Sequence, residues 1–194
     1  FQKENGKMQT LFWKDLKKVE SHLMNGDDDC PWFRIEQAQE QEGPEIYNFM
    51  QRIYEGIPDK SWFSMDKEEK ILRYVATAGF AVKAEAPVGG HELAGIFIAR
   101  TSELGEENLG KYLNLNEEEL TRVAHMEIAM VDEEFRGRGL QKELMKTAEE
   151  HLKFLGYHWL MGTAHPENVY SVNNFKRLGY EIVAEDLKYG GLPR

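Results

Sequence analysis

The residues with the clearest capacity for chemistry form the short turn Arg136-Gly137-Arg138-Gly139. Its two glycines let the backbone approach a ligand closely, and a helix that begins directly after them leaves its first N–H groups free. Such a helix start carries partial positive charge and suits phosphate, to which two arginines can add charged hydrogen bonds. The turn therefore predicts a pyrophosphate-binding loop, with a solvated turn that only starts a helix as the alternative.

The elements around this turn are regular. The pattern predicts a strand over 123–131 and an amphipathic helix over 137–155, followed by a strand over 157–164. A strand, a crossover helix and a second strand form a βαβ unit, so the two strands should be parallel. A helix over 168–178 and a strand over 180–185 follow. Neither a P-loop nor a dinucleotide-binding glycine motif is present, which excludes these two phosphate-binding folds.

The first half of the chain predicts helices and antiparallel strands. Phe12, Leu16, Val19 and Leu23 have helical spacing, which predicts a helix over 11–24 that ends at Asn25-Gly26. Further predictions are a strand over 31–38, a helix from Pro44, a helix capped by Ser64, and a hairpin of strands near 80–85 and 91–101. The fold class is thus α+β with a mixed sheet, organised as an N-terminal helical extension over 1–26 and one domain over 27–194.

Composition excludes several classes of function. The chain of 194 residues has 24 Lys and Arg against 34 Asp and Glu, a formal net charge of −10. This acidity argues against binding to nucleic acid or to an anionic membrane surface. Cys30 is the only cysteine, and the histidines are scattered, so neither an internal disulfide nor a metal site is expected. The sequence has no signal-like or membrane-spanning apolar stretch, and we expect a cytoplasmic protein.

Two motifs resemble those of the GNAT superfamily. The segment EFRGRGLQKELM resembles its acyl-CoA-binding motif, in which Arg or Gln precedes two residues, Gly, one residue, and Gly or Ala; Arg136 and Gly139 match, and Gln141 replaces the last position. The segments from Asn168 to Ser171 and from Phe175 to Tyr180 resemble the family's later Asn, Ser, aromatic and Leu-Gly-Tyr pattern. The resemblance covers roughly 30–194 and implies a mixed, splayed β-sheet flanked by helices.

The resemblance also implies an activity and a binding site. It implies an N-acetyltransferase that moves an acetyl group directly from acetyl-CoA to a primary amine of a small molecule or peptide. The residues that it assigns to coenzyme binding are Arg136, Gly137, Arg138, Gly139, Leu140 and Gln141 for the pyrophosphate, the backbone of Ala129, Met130 and Val131 for the pantetheine, and Asn168, Ser171 and Phe175 on the opposite side.

Acid and base roles follow from the same resemblance. Glu127 resembles the carboxylate that many family members use as a base, and a period of two places His125 on the same strand face. A surface or ion-paired role for Glu127 is the alternative. Many family members have Tyr where this chain has Phe175, which has no proton to give. Tyr170, a water molecule or bulk solvent would then protonate the leaving thiolate.

Other readings of the sequence stay open at this point. Phe175, and the fact that the sequence stops at the turn before the family's final strand, would also suit a catalytically weak or inactive acyl-CoA-binding regulatory module. The acidic composition modestly favours a cationic acceptor such as a polyamine, an aminoglycoside or a lysine side chain. Trp62-Phe63 falls near the acceptor pocket of the family. A homodimer is a further option that the sequence does not decide.

Overall fold

The computed structural model of the chain describes residues 7–17, 33–86, 92–101 and 104–188. Within them, seven strands form one mixed sheet in the order β2-β3-β4-β5-β6-β1-β7. The strands are β1 (Lys7–Asp15), β2 (Arg34–Gln37), β3 (Gly79–Glu85), β4 (Leu93–Arg100), β5 (Val123–Val131), β6 (Trp159–Ala164) and β7 (Glu181–Lys188). Every neighbouring pair is antiparallel except β5 and β6, which are parallel as the βαβ pattern predicts.

Helices cover both faces of the sheet. They are α1 (Gly43–Glu55), α2 (Glu68–Ala76), the single turn α3 (Glu117–Leu120), α4 (Leu140–Phe154) and α5 (Val169–Arg177). The apolar residues of α1 and α2 pack on one face in a cluster that includes Ile46, Ile71 and Ile128. The apolar residues of α4, such as Leu144, pack on the other face in a cluster that includes Phe97. The predicted α+β class and the mixed sheet are confirmed.

The predicted N-terminal helix is wrong over the described residues. Residues 7–15 form β1, which hydrogen-bonds to β6 on one side and to β7 on the other. A central strand buries both of its faces, and the adjacent Leu11 and Phe12 are accordingly both fully buried. Pairing on two edges outweighs a helical spacing of apolar residues. Val19, Leu23 and Cys30 lie outside the described residues.

The β1 strand also provides β7 with an antiparallel neighbour. The resemblance implies that the family fold has one more strand after β7. Such a strand would follow β7 in a hairpin and run antiparallel to it, and β1 also runs antiparallel to β7. The sheet therefore continues beyond β6 through the N-terminal segment. A buried ion pair of 2.6 Å joins Lys14 of β1 to Glu149 of α4.

We expect Phe12→Ala to destabilise the fold strongly. The Phe12 ring is fully buried and stacks on Phe175 at a centroid distance of 4.6 Å. Loss of such a ring costs about 3–5 kcal/mol, which lowers Tm by roughly 10 °C in a chain of this size. Thermal unfolding measures the change, and Met8→Ala on the same strand is the control because Met8 is 44% exposed. Equal, small shifts for both variants would show that β1 is not part of the folded sheet.

Candidate active site

The sheet opens between β5 and β6. Only Val123 to Met126 of β5 pair with β6, opposite Trp159 to Gly162. Beyond that point β5 stays paired with β4, while the end of β6 pairs with β1. Residues 127–131 therefore have no ladder partner in β6, and their backbone groups on this side are available to a ligand. This divergence is the splay that the sequence resemblance implies.

A cavity of about 930 Å³ lies at this opening. Its lining includes the end of β5 beyond its pairing with β6, the start of α4, the first part of α5 and the segment after α1. Of the residues named from the sequence, the cavity is lined by Glu127, Ala129, Met130, Val131, Arg136, Gly137, Gly139, Leu140, Gln141, Asn168, Tyr170, Ser171 and Phe175. The structure thus brings the two motifs together across one cavity.

The glycine turn, residues 136–139, has the backbone expected of a ligand-binding loop. Gly137 and Gly139 have φ values of 75° and 76°, in the left-handed region that glycine adopts without strain. Gly139 is the N-cap of α4 and provides no side-chain cap for the first helical N–H groups. A Cβ built on either glycine would meet no protein atom within 4 Å. Open space next to uncapped donors fits an anionic group.

The two arginines of the turn differ in their placement. Arg136 lines the cavity, and its Nε donates to the Val131 carbonyl oxygen at 3.2 Å, which ties the turn to the end of β5. Arg138 is outside the cavity lining. Its guanidinium lies over the Phe135 ring and donates to the Glu134 carbonyl oxygen at 3.5 Å. The expectation that both arginines face the ligand therefore fits Arg136 and does not fit the observed orientation of Arg138.

Glu127 occupies a β-bulge. In the pairing of β4 with β5, Ile98 lies opposite Ile128 and Ala99 opposite Met126, so Glu127 has no partner of its own. Bulges often re-aim a side chain beside a site. The bulge interrupts the period of two that placed His125 and Glu127 on one face. The two side chains nevertheless share a neighbour, because the charge of Arg100 acts on both.

Arg100 is a functional candidate that sequence reasoning missed. Its side chain is 5% exposed, and Nε donates to the Glu127 carboxylate at 3.2 Å. Burial opposes its charge, but the pKa of Arg100 is raised above the ordinary value because Glu127 and the other acceptors stabilise the cation. Tyr74 of α2 is fully buried beside this pair; burial first, then the Glu127 charge, raises the pKa of its hydroxyl. Nothing in the spacing of Tyr74, Arg100 and Glu127 along the chain signals this cluster.

His125 is buried and neutral. Its Nε2 accepts a hydrogen bond from the Leu109 N–H at 3.0 Å, and burial followed by the Arg100 charge holds its pKa well below the ordinary value. A neutral ring that accepts from the backbone holds the segment around Leu109 against β5. The geometry gives His125 a structural role.

The lowered pKa of His125 predicts a loss of stability in mild acid. The unfolded chain binds a proton at His125 below about pH 6.5, whereas the folded chain does not, so the free energy of unfolding falls as pH decreases. The expected slope is about 1.4 kcal/mol per pH unit below pH 6.5. Thermal unfolding at pH 7 and pH 5 measures it, and His125→Gln, which retains an acceptor, should have a shallower slope. An unchanged slope in that variant would assign the dependence to other groups.

The motif from Asn168 to Ser171, called the α5 motif below, forms the N-cap and first turn of α5. The Asn168 side-chain oxygen accepts from the Ser171 N–H at 3.3 Å, which caps the helix, and Asn168 also lines the cavity. Tyr170 is 74% exposed on the same turn. Phe175 is buried between Phe12 and Tyr180, and a Cβ at Gly162 would come within 2.5 Å of its ring. Gly162 thus permits the close packing of Phe175 on β6.

The N-terminal strand contributes one cavity residue that the sequence did not indicate. Gln9 of β1 is buried and lines the cavity near the end of β6, together with Thr163, Ala164 and His165. The only signal that could have found it is the position of β1 in the sheet, which the helical spacing hid. Trp62 and Phe63 also line the cavity, as expected for the segment after α1.

A family model decides the relationship. The model described as the acetyltransferase (GNAT) family matches residues 27–180. The chain belongs to the GNAT acetyltransferase family. The match contains the glycine turn, the bulged strand β5 and the α5 motif, so all the elements that line the cavity except β1 fall within it.

Solved structures similar to this chain share its fold. The aminoglycoside N-acetyltransferase AAC(6')-Iy in complex with CoA is 20% identical, with a TM-score of 0.58 over 81% of this chain and 93% of that chain. An aminoglycoside acetyltransferase from an uncultured soil metagenomic sample is 13% identical, with a TM-score of 0.56 over 85% and 97%. A tandem GNAT protein from the clavulanic acid biosynthesis pathway is 15% identical, with a TM-score of 0.60 over 93% and 52%. No curated protein matches.

Among the described residues, no helix is long and apolar enough to cross a membrane. The same residues contain no group of three or more His, Cys, Asp or Glu side chains arranged to hold a metal ion.

Proposed function

We propose that this chain is an N-acetyltransferase that uses acetyl-CoA and a primary amine of a small molecule or peptide. The observation that carries the proposal is the opening between β5 and β6, which ends at the glycine turn and the uncapped start of α4. In the overall reaction the amine nitrogen forms a bond to the acetyl carbon, the thioester C–S bond breaks, and CoA leaves as the thiol.

The chain's residues have separate roles in this proposal. The N–H groups at the start of α4, together with Arg136, hold the pyrophosphate. The edge of β5 at Ala129, Met130 and Val131, which has no partner in β6, and the Asn168 amide orient the pantetheine arm. An amine must lose a proton to react, and in this proposal Glu127 accepts it directly or through a water molecule. Tyr170 donates a proton to the departing thiolate, a role that Phe175 does not have.

The test is an assay of the purified full chain with acetyl-CoA and a panel of amines. Thiol release is monitored with a colorimetric thiol reagent, and the products are identified by mass spectrometry. We expect amine-dependent thiol release and an acetylated amine in equal amounts. Thiol release that no amine accelerates, together with no acetylated product, would overturn the proposal.

A catalytically inactive acyl-CoA-binding module is the second candidate, and Phe175 is the observation that favours it. Its ring is packed between Phe12 and Tyr180 and offers no proton. Loss of one acid slows transfer without abolishing it, because holding two substrates together provides much of the rate enhancement. The module would bind acetyl-CoA and show no amine-dependent turnover, so the same assay separates the two candidates.

A further inference from the structure

We infer that the acceptor is a monoamine with an aromatic or branched apolar skeleton, and that a polycation is a poor substrate. This inference deepens the proposed function and rests on it. It departs from the preference for cationic acceptors that the acidic composition suggests.

The end of α1 and the segment after it form an apolar wall of the cavity. Five of its apolar residues line the cavity: Ile53, Ile57, Pro58, Trp62 and Phe63. The Phe63 ring packs on Tyr54 at a centroid distance of 6.0 Å, which fixes its place in the wall. Met130 of β5 lines the same cavity. An apolar group buried against such a wall is stabilised in proportion to the surface that it removes from water.

The charged side chains that line the cavity do not suit a polycation. Glu127 is the only carboxylate among the described residues that line the cavity, and it already pairs with Arg100 at 3.2 Å. The other charged side chains of the lining are the basic residues Arg136, Lys142 and Arg177, on the turn, α4 and α5. A polyamine or aminoglycoside would have to remove further ammonium groups from water without carboxylates to receive them.

The Trp62 indole is the largest side chain of this wall. Its Nε1 atom is buried, so the apolar part of the ring lines the cavity. An aromatic ring offers a large apolar contact area to a ligand. Trp62 therefore suits a substrate with an apolar skeleton.

The net charge of −10 does not oppose this inference. Charge summed over the surface raises the rate at which cations meet the protein, whereas affinity depends on the groups that line the site. A monoamine has one positive charge, so it is still attracted toward the acidic protein. It loses that charge when Glu127 accepts the proton. The wall then binds a neutral amine.

The experiment compares amines at saturating acetyl-CoA. We expect kcat/KM for 2-phenylethylamine and isoamylamine to exceed that for spermidine and kanamycin by at least about tenfold, the effect of a few buried methylenes. Trp62→Ala should lower kcat/KM for 2-phenylethylamine by about tenfold, mostly through KM, while the KM for acetyl-CoA is unchanged. Trp62→Phe should restore most of the loss. Trp159→Ala, on β6 and outside the cavity lining, is the matched control.

A binding measurement separates failure of this inference from failure of the proposed function. Calorimetry of the complex with CoA should show 2-phenylethylamine binding that Trp62→Ala weakens, and no comparable binding of spermidine. Faster turnover or tighter binding of the polycations would overturn the inference while leaving N-acetyltransferase activity intact. Binding of 2-phenylethylamine without turnover of any amine would support the apolar acceptor site and contradict the proposed transferase. Absence of both binding and turnover would overturn the inference.

Discussion

Glu127→Gln should lower kcat by about 100-fold to 1,000-fold and leave acetyl-CoA affinity nearly unchanged. The glutamine has the same shape but cannot accept a proton from the amine, and a positioned base contributes on that order to the rate. Steady-state kinetics with the best amine give kcat, and calorimetry gives the Kd for acetyl-CoA. An unchanged kcat would remove Glu127 from the mechanism and favour another base.

A control is needed because Glu127 also neutralises a buried cation. Arg100 is 5% exposed and would lose its carboxylate partner in the variant, which costs about 3–5 kcal/mol of stability for a buried pair. The double variant Arg100→Met with Glu127→Gln removes both charges. We expect it to recover much of the lost Tm and none of the lost kcat. If activity returned with stability, Glu127 would be a structural residue only.

Gly139→Val should weaken acetyl-CoA binding by at least about tenfold, equivalent to 1.4 kcal/mol. Gly139 has a φ of 76°, where a β-branched residue is strained, and it lines the cavity at the N-cap of α4. A valine would place a side chain in the open space beside the first helical N–H groups and would shift the turn. The measurement is calorimetric titration with acetyl-CoA.

Gly156→Val is the matched control for that variant. Gly156 has a φ of 88° and follows the other end of α4, outside the cavity lining, and a Cβ there also meets no atom within 4 Å. Both substitutions therefore introduce similar backbone strain, but only one lies at the site. Equal acetyl-CoA affinities in the two variants would contradict the role of the glycine turn.

The second half of the fold could be predicted because local pattern and tertiary structure agree there. The strand predicted over 123–131 is β5 with the same bounds, and the helices and strands after it differ by a few residues at their ends. In α4 the apolar residues Leu140, Leu144 and Leu152 keep one helical stripe, and all three are buried. A periodic pattern over a long element is a strong local signal.

The first strand could not be predicted by the same means. Phe12 and Leu16 are four residues apart, which suits a helix, but the partners that make β1 a strand are β6 and β7, more than 140 positions away. The predicted N-cap at Ser64 is also displaced, since α2 begins at Glu68 with Lys67 as its N-cap. Pairing between distant strands leaves no trace in local spacing.

Like the fold, the candidate site has one part that the local sequence encodes and one part that depends on distant residues. The backbone part is local: the left-handed glycines of the turn and the Asn168 cap each depend on a few consecutive residues. The environment of Glu127 depends on a bulge, on Arg100 from β4 and on Tyr74 from α2, none of which is adjacent in sequence. The orientation of Arg138 toward Phe135 likewise depends on a tertiary contact.

Thermal unfolding of the full chain with acetyl-CoA tests most directly whether the opening between β5 and β6 is a coenzyme site. Ligand at about 100 times its Kd should stabilise the fold by about 2.7 kcal/mol, which raises Tm by roughly 5–10 °C. We predict this rise with acetyl-CoA and with CoA, its absence with ATP, and its reduction to about half or less in Gly139→Val but not in Gly156→Val. No rise with acetyl-CoA or CoA, or an equal rise with ATP, would contradict the account.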